Sequence, residues 1–164
     1  MRHEATDAVN PAAAHRPQPL GWSAARLYLA ISGFYLVALG IAGFVVNRTF
    51  PIGAADAARA RSDLVFGLFE TNGWHNLAGL VFGLIALWFL FRSTQWALGA
   101  LAVGVPNLIT FVAFAVTTPT TFWFASNGAD AVLHALLGFG GVVAAMVSHD
   151  WRRGTQRLRG AEAS

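Results

Sequence analysis

The chain has 164 residues, of which 55% are hydrophobic and only 12% are charged, and its formal net charge is +3. A soluble domain usually carries about 25% charged residues, so this composition argues against a water-soluble protein and indicates one that lies in a membrane. The chain has no cysteine, which excludes disulfides, thiolate metal sites and cysteine nucleophiles. It has no basic helix interleaved with surface aromatics, which argues against nucleic acid as a partner.

The first part of the chain is predicted to be a tail followed by a span. Residues 1–21 are rich in alanine, proline and polar side chains and are predicted to form a disordered cytoplasmic tail. A transmembrane domain is predicted over residues 22–149, and its first span, 27–46, is uncharged and long enough to cross the bilayer. The mixed segment 52–70 follows, with an apolar patch at Leu64–Phe69. It is predicted to form a short interfacial helix on the outer surface.

Three further spans are predicted over residues 74–91, 96–116 and 129–148. Pro106 and Asn107 interrupt the third span near its middle, and a kink is expected there because proline lacks a backbone donor. The pair would fit a broken helix that opens a path for a solute or proton. It would also fit a kink whose freed polar groups pair with a neighbouring helix. The second interpretation is favoured, because no carboxylate lies at that depth.

The distribution of arginine predicts the orientation. One side carries the arginines near both chain ends together with Arg26 and Arg92, and the other carries only Arg48, Arg59 and Arg61. The positive-inside rule then places both termini in the cytoplasm of a bacterial plasma membrane. Residues 150–164 form a basic tail that is predicted to bind anionic lipid headgroups through Arg152, Arg153, Arg157 and Arg159.

An internal repeat relates the second and fourth spans, since each follows an Asn-Gly pair, at residues 72–73 and 127–128. The fold class predicted is therefore all-α, an integral membrane four-helix bundle made of two repeated helical hairpins. Glycines permit close helix packing in membranes. We expect that role for Gly79, Gly83 and Gly138, and such small-residue stripes would also suit a homodimer or a membrane protein partner.

Polar groups at the outer ends of the second and fourth spans form a candidate cluster. His75, Asp130 and His134 would converge if these helices face each other, together with Asn72, Asn76 and Asn127. Two histidines and a carboxylate suit a transition metal, and two histidines can ligate haem. The favoured alternative is an interhelical hydrogen-bond cluster, in which Asn72 and Asn127 also cap their helices. No cofactor is then predicted.

A family resemblance is carried by the residues of the same two helices. Residues 72–77 (Asn-Gly-Trp-His-Asn-Leu), Gly83, the Asn127–Asp130 stretch, Leu133-His134 and Gly138 resemble a bacterial membrane family described as domain of unknown function 4383. The resemblance covers residues 25–148 and implies a four-helix membrane fold, with no activity attached. It also implies a second histidine one turn after His75, where this chain has Gly79.

The sequence shows no catalytic arrangement. It has no phosphate-cradling loop and no His-Glu-x-x-His motif, and Ser32 lies inside a span rather than at a strand–turn–helix elbow. The function predicted is that of a non-enzymatic multi-pass membrane protein, either accessory and partner-binding or associated with the envelope. The alternatives are a metal- or haem-binding membrane protein, and a small transporter or channel component.

Overall fold

The computed structural model describes residues 22–52, 56, 63–116 and 126–148. Within these ranges the chain forms the helices α1 (Ala24–Val46), α2 (Gly73–Arg92), α3 (Trp96–Val116) and α4 (Gly128–Val147), and the strands β1 (Leu64–Val65) and β2 (Phe69–Glu70). Each of these helices is long and apolar enough to cross a membrane. The predicted all-α, multi-pass membrane fold is confirmed. The predicted tails, 1–21 and 150–164, with their arginines, lie outside the described residues.

Side-chain caps explain why three of the helices begin where they do. Ser23 caps α1 by accepting from the Arg26 amide at 3.2 Å. Asn72 caps α2 by accepting from the His75 amide at 2.9 Å, and Asn127 does the same for α4. The first amides of a helix have no partner within it, so these caps satisfy donors that would otherwise be unpaired.

The helices pack as two pairs. Helix α1 packs along α2, which we call the N-terminal pair, and α3 packs along α4, the C-terminal pair, while contacts between the pairs are fewer. Glycine makes this possible: a Cβ at Gly83 would lie 2.8 Å from the Val37 amide nitrogen, and one at Gly138 would lie 2.7 Å from that of Leu108. Gly79 is different, because its nearest neighbour would be the Leu36 carbonyl oxygen at 3.5 Å, an ordinary contact.

Helix α4 carries a stripe of small residues, Gly138, Gly141, Ala144 and Ala145, which is used within the chain. A Cβ at Gly141 would lie 2.7 Å from the Ala100 carbonyl oxygen, and Ala144 and Ala145 are buried. The stripe therefore closes the C-terminal pair, and a homodimer remains a prediction.

The apolar patch after α1 does not form the expected helix. Residues Leu64–Val65 and Phe69–Glu70 pair as antiparallel strands, joined by a turn in which Phe66 (φ 55°) and Gly67 (φ 68°) both have positive φ. Such turns match the twist of a β-hairpin, although a bulky residue rarely adopts positive φ. The prediction of an interfacial helix is thus wrong for residues 64–70, and most of residues 53–62 lies outside the described part.

Helix α3 runs through Pro106 without a break, so the broken-helix interpretation does not hold. The Asn107 side-chain amide donates to the Val103 carbonyl oxygen at 2.8 Å, within its own helix. The bend expected at Pro106 remains a prediction.

The two ends of the bundle differ. At the end where α1 begins and α4 finishes, the pairs are joined directly: the Ala25 amide donates to Ser148 Oγ at 2.9 Å, and the Tyr28 hydroxyl donates to the Leu137 carbonyl oxygen at 2.8 Å. We call this the closed end. At the other end, the β-hairpin end, α1 finishes, α2 and α4 begin, and a cavity separates the pairs.

Candidate functional site

A cavity of about 250 Å³ lies between the two helical pairs, in the half of the bundle nearest the β-hairpin. All of the helices named above contribute to its wall, and Val65, Phe69 and Glu70 of the β-hairpin contribute as well. Its surface is mostly apolar, with side chains such as Leu36 and Leu133. A concave apolar space with a few directed polar groups is the usual form of a small-molecule site in a protein.

The polar part of this wall includes a pair of histidines from different helical pairs. His75 in the first turn of α2 and His134 in the second turn of α4 lie with ring centroids 5.9 Å apart and planes 20° from parallel. Phe114 of α3 meets the His134 ring edge-on at 5.5 Å. The one-turn difference between the two positions therefore does not separate the rings.

Asn107 contacts the histidine pair, although its position next to Pro106 in the sequence suggested a role at the kink. Its Oδ1 lies 2.8 Å from His134 Nδ1, and both residues line the cavity. Because its Nδ2 already donates to the Val103 carbonyl oxygen, Oδ1 is the atom that faces the histidine. The Asn107 side chain thus pairs with a neighbouring helix, as one interpretation of Pro106-Asn107 expected.

The position of Asp130 differs from the one expected for a metal ligand shared with the two histidines. Its Oδ2 accepts from the Asn127 amide at 3.0 Å and from the Glu70 amide at 3.1 Å. Asn127 Nδ2 in turn donates to the Leu68 carbonyl oxygen at 2.8 Å. These contacts fasten the β-hairpin to the start of α4, and we call them the hairpin strap.

The Asp130 carboxylate is fully buried. It lies within electrostatic range of His75 and Glu70, and its Oδ1 has no hydrogen-bond partner among the described residues. It does not line the cavity. Its role in this geometry is to hold the hairpin over the cavity rather than to reach into it.

Asn76 belongs to a third group, at the joint between α1 and α2. Its Nδ2 donates to the Asn47 carbonyl oxygen at 2.8 Å, and its Oδ1 accepts from the Thr71 hydroxyl. Asn47 Nδ2 continues the network to Asp63 Oδ2 at 2.7 Å. Asn72 caps α2 beside this joint. The six residues of the predicted cluster are therefore divided among the histidine pair, the hairpin strap and this joint.

This division bears on the metal and haem alternatives. Within residues 22–52, 56, 63–116 and 126–148, no three histidine, cysteine, aspartate or glutamate side chains are placed to share a metal ion. The cavity volume of about 250 Å³ lies just below the roughly 300–1,000 Å³ typical of sites for drug-sized ligands. The metal and haem alternatives remain predictions.

Several residues of the site carried a weak signal or none in the sequence. Glu70, Phe69 and Val65 line the cavity because residues 64–70 form a hairpin rather than a helix. The signal for that hairpin was one glycine between two short apolar stretches. Asn47 and Thr71 are both buried, and neither belongs to the predicted cluster.

The family model described as domain of unknown function (DUF4383) matches residues 26–147, which cover α1 to α4 almost completely. No curated protein matches the chain, and no solved structure matches it.

Proposed function

Since the chain belongs to the DUF4383 family and spans the membrane through apolar helices, we propose a function from its cavity: it is a non-enzymatic membrane protein that binds a small, mostly apolar molecule between its helical pairs. The observation that carries the proposal is the cavity of about 250 Å³ with its apolar wall and histidine pair. The bilayer would supply such a ligand, because apolar molecules concentrate in hydrocarbon.

Serine and threonine hydroxyls support a binding role rather than a catalytic one. Ser32 donates to the Tyr28 carbonyl oxygen at 2.7 Å, and Thr110 to the Pro106 carbonyl oxygen at 2.9 Å. Each is therefore bonded to the backbone of its own helix rather than to a histidine that would activate it. We propose that this protein, with the small molecule bound, acts as an accessory component, either of a membrane protein partner or in the envelope.

The test is saturable binding of an apolar probe to the protein in lipid nanodiscs. Naphthalene would be titrated by calorimetry, and the signal of empty nanodiscs subtracted. We expect one molecule per chain. Ala113→Leu places a larger side chain in the cavity wall and should weaken binding about tenfold or more, the effect of roughly 1.4 kcal/mol of lost contact.

Val112→Leu is the matched control, because it adds one methylene to the neighbouring residue of the same helix, which is half exposed and outside the cavity wall. It should bind naphthalene as the wild type does. Heats equal to those of empty nanodiscs, or equal binding by both variants and the wild type, would refute cavity binding.

We also propose that this membrane is the bacterial plasma membrane and that both termini are cytoplasmic. Arg26 and Arg92 lie at the closed end of the bundle, and Arg48 lies at the β-hairpin end. The uneven arginine content of the whole sequence supports the same orientation. A C-terminal green fluorescent protein should fluoresce and a C-terminal alkaline phosphatase should be inactive. The reverse result would invert the topology and place the cavity in the cytoplasmic half.

A further inference from the structure

The hydrogen-bonding state of His134 limits what the cavity can hold. Asn107 Nδ2 donates to a backbone carbonyl oxygen, so Asn107 Oδ1 is the atom 2.8 Å from His134 Nδ1. A carbonyl oxygen only accepts, and Nδ1 must therefore carry a proton. In a neutral imidazole the other nitrogen, Nε2, is then a hydrogen-bond acceptor.

The surroundings favour this neutral ring. Its contacts are the Asn107 amide and the rings of His75 and Phe114, none of which carries a fixed negative charge. A charged group without compensation is costly in the bilayer. His134 lines the cavity, and Nε2 is its one ring nitrogen that Asn107 does not engage.

The charges around the cavity select against an anion. Glu70 lines the wall, and a second carboxylate, Asp130, lies within electrostatic range of His75 and Glu70. The remaining wall is formed largely by apolar side chains such as Leu36, Phe82 and Leu137. A carboxylate or phosphate headgroup would meet like charge without a cation in the described wall to balance it.

We infer that the ligand is a neutral, mostly apolar molecule that carries a hydroxyl group, and that this hydroxyl donates to His134 Nε2. Asn107 is the positioning residue, because its carbonyl oxygen fixes which ring nitrogen accepts. This inference rests on the proposed function and specifies its ligand class. An ether or hydrocarbon of the same shape would fill the cavity without making the hydrogen bond.

The experiment compares two probes that differ by one donor, 1-naphthol and 1-methoxynaphthalene, titrated into the full chain in lipid nanodiscs with empty nanodiscs subtracted. One neutral hydrogen bond contributes about 0.5–1.5 kcal/mol, so the wild type should bind 1-naphthol about two- to twelvefold more tightly. His134→Phe keeps an aromatic ring of similar size but has no acceptor, and should bind both probes equally. Asn107→Leu should reduce the preference, because His134 is then free to change tautomer.

Ser32→Ala is the control, since it removes a buried hydroxyl that does not line the cavity and should leave the preference intact. Naphthalene binding by His134→Phe shows that this variant keeps its cavity. If the wild type binds both probes equally, or His134→Phe keeps the preference, the inference fails while the proposed function stands. If no probe binds above the empty nanodiscs, the proposed function itself fails.

Discussion

The helix contacts within each pair and the contacts between the two pairs are of different kinds. Inside each pair, glycines bring backbones together, as at Gly83 against Val37 and Gly138 against Leu108. Between the pairs, the closed end is held by a few side-chain hydrogen bonds, and the β-hairpin end is held apart around a cavity. In a bilayer, where lipid is as apolar as the helices, close packing and hydrogen bonds are what hold helices together. The difference teaches that close backbone packing joins the helices within each pair, whereas a few hydrogen bonds join the two pairs at the closed end.

The largest loss of stability is expected where a side chain is added at a close contact between helix backbones. Gly138→Ala places a methyl group against the Leu108 backbone at 2.7 Å, and such overpacking typically costs about 1–3 kcal/mol. Gly79→Ala is the matched control on the other pair, since its methyl meets nothing closer than 3.5 Å. It should be neutral, or stabilising by up to about 1 kcal/mol from helix propensity. Unfolding in detergent would measure the stability of both variants. Equal stability would contradict the idea that glycines allow the close helix packing within each pair.

An intermediate loss of stability is expected when the hairpin strap is removed. Asp130→Ala removes the acceptor of the Glu70 and Asn127 amides, and loss of a helix-capping group costs about 1 kcal/mol. Hydrogen exchange of the Glu70 amide should then be about fivefold faster. Ser23→Ala removes the cap of α1 at the closed end instead. It should cost similar stability and leave Glu70 exchange unchanged, and unchanged exchange in Asp130→Ala would mean the strap does not hold the hairpin.

The smallest loss of stability is expected when a hydrogen bond at the closed end is removed. Tyr28→Phe removes the hydrogen bond to the Leu137 carbonyl oxygen, and such contacts in membranes average about 0.6 kcal/mol. Ser32→Ala removes the contacts of Ser32 with Tyr28 inside α1 but leaves the Tyr28 hydroxyl bonded to Leu137, so it should not loosen the contact between the pairs. A spin-label distance between α1 and α4 should lengthen or broaden in Tyr28→Phe alone. A change of the same size in both variants would assign it to α1 itself.

The spans and their starting points could be predicted from the sequence, because both depend on local composition. Uncharged apolar runs of this length suit helices that cross a bilayer, and Asn72 and Asn127 cap α2 and α4 as their positions indicated. The family resemblance is likewise confirmed by the match over residues 26–147. Local rules of this kind do not require knowledge of how the helices are rotated about their axes.

The β-hairpin and the composition of the site depend on contacts distant in sequence. Strands of two residues have little stability alone, and this hairpin is held by Asp130 and Asn127, about 60 residues further along the chain. The Asn107–His134 bond joins residues 27 apart on different helices. Whether such side chains meet is decided by helix rotation and side-chain packing, which the sequence pattern left open.

The hairpin strap also has a consequence for the order of assembly. Glu70 is synthesised well before Asp130, with which it pairs across 60 residues of chain. Chains are made from the N-terminus, so the N-terminal pair and its hairpin leave the ribosome before the carboxylate that fastens the hairpin. Until α4 inserts, the cavity has neither its fourth wall nor a fixed cover. We expect a quality-control protease to cut near residues 64–70 in chains stalled before α4, and to spare them once α4 is in place.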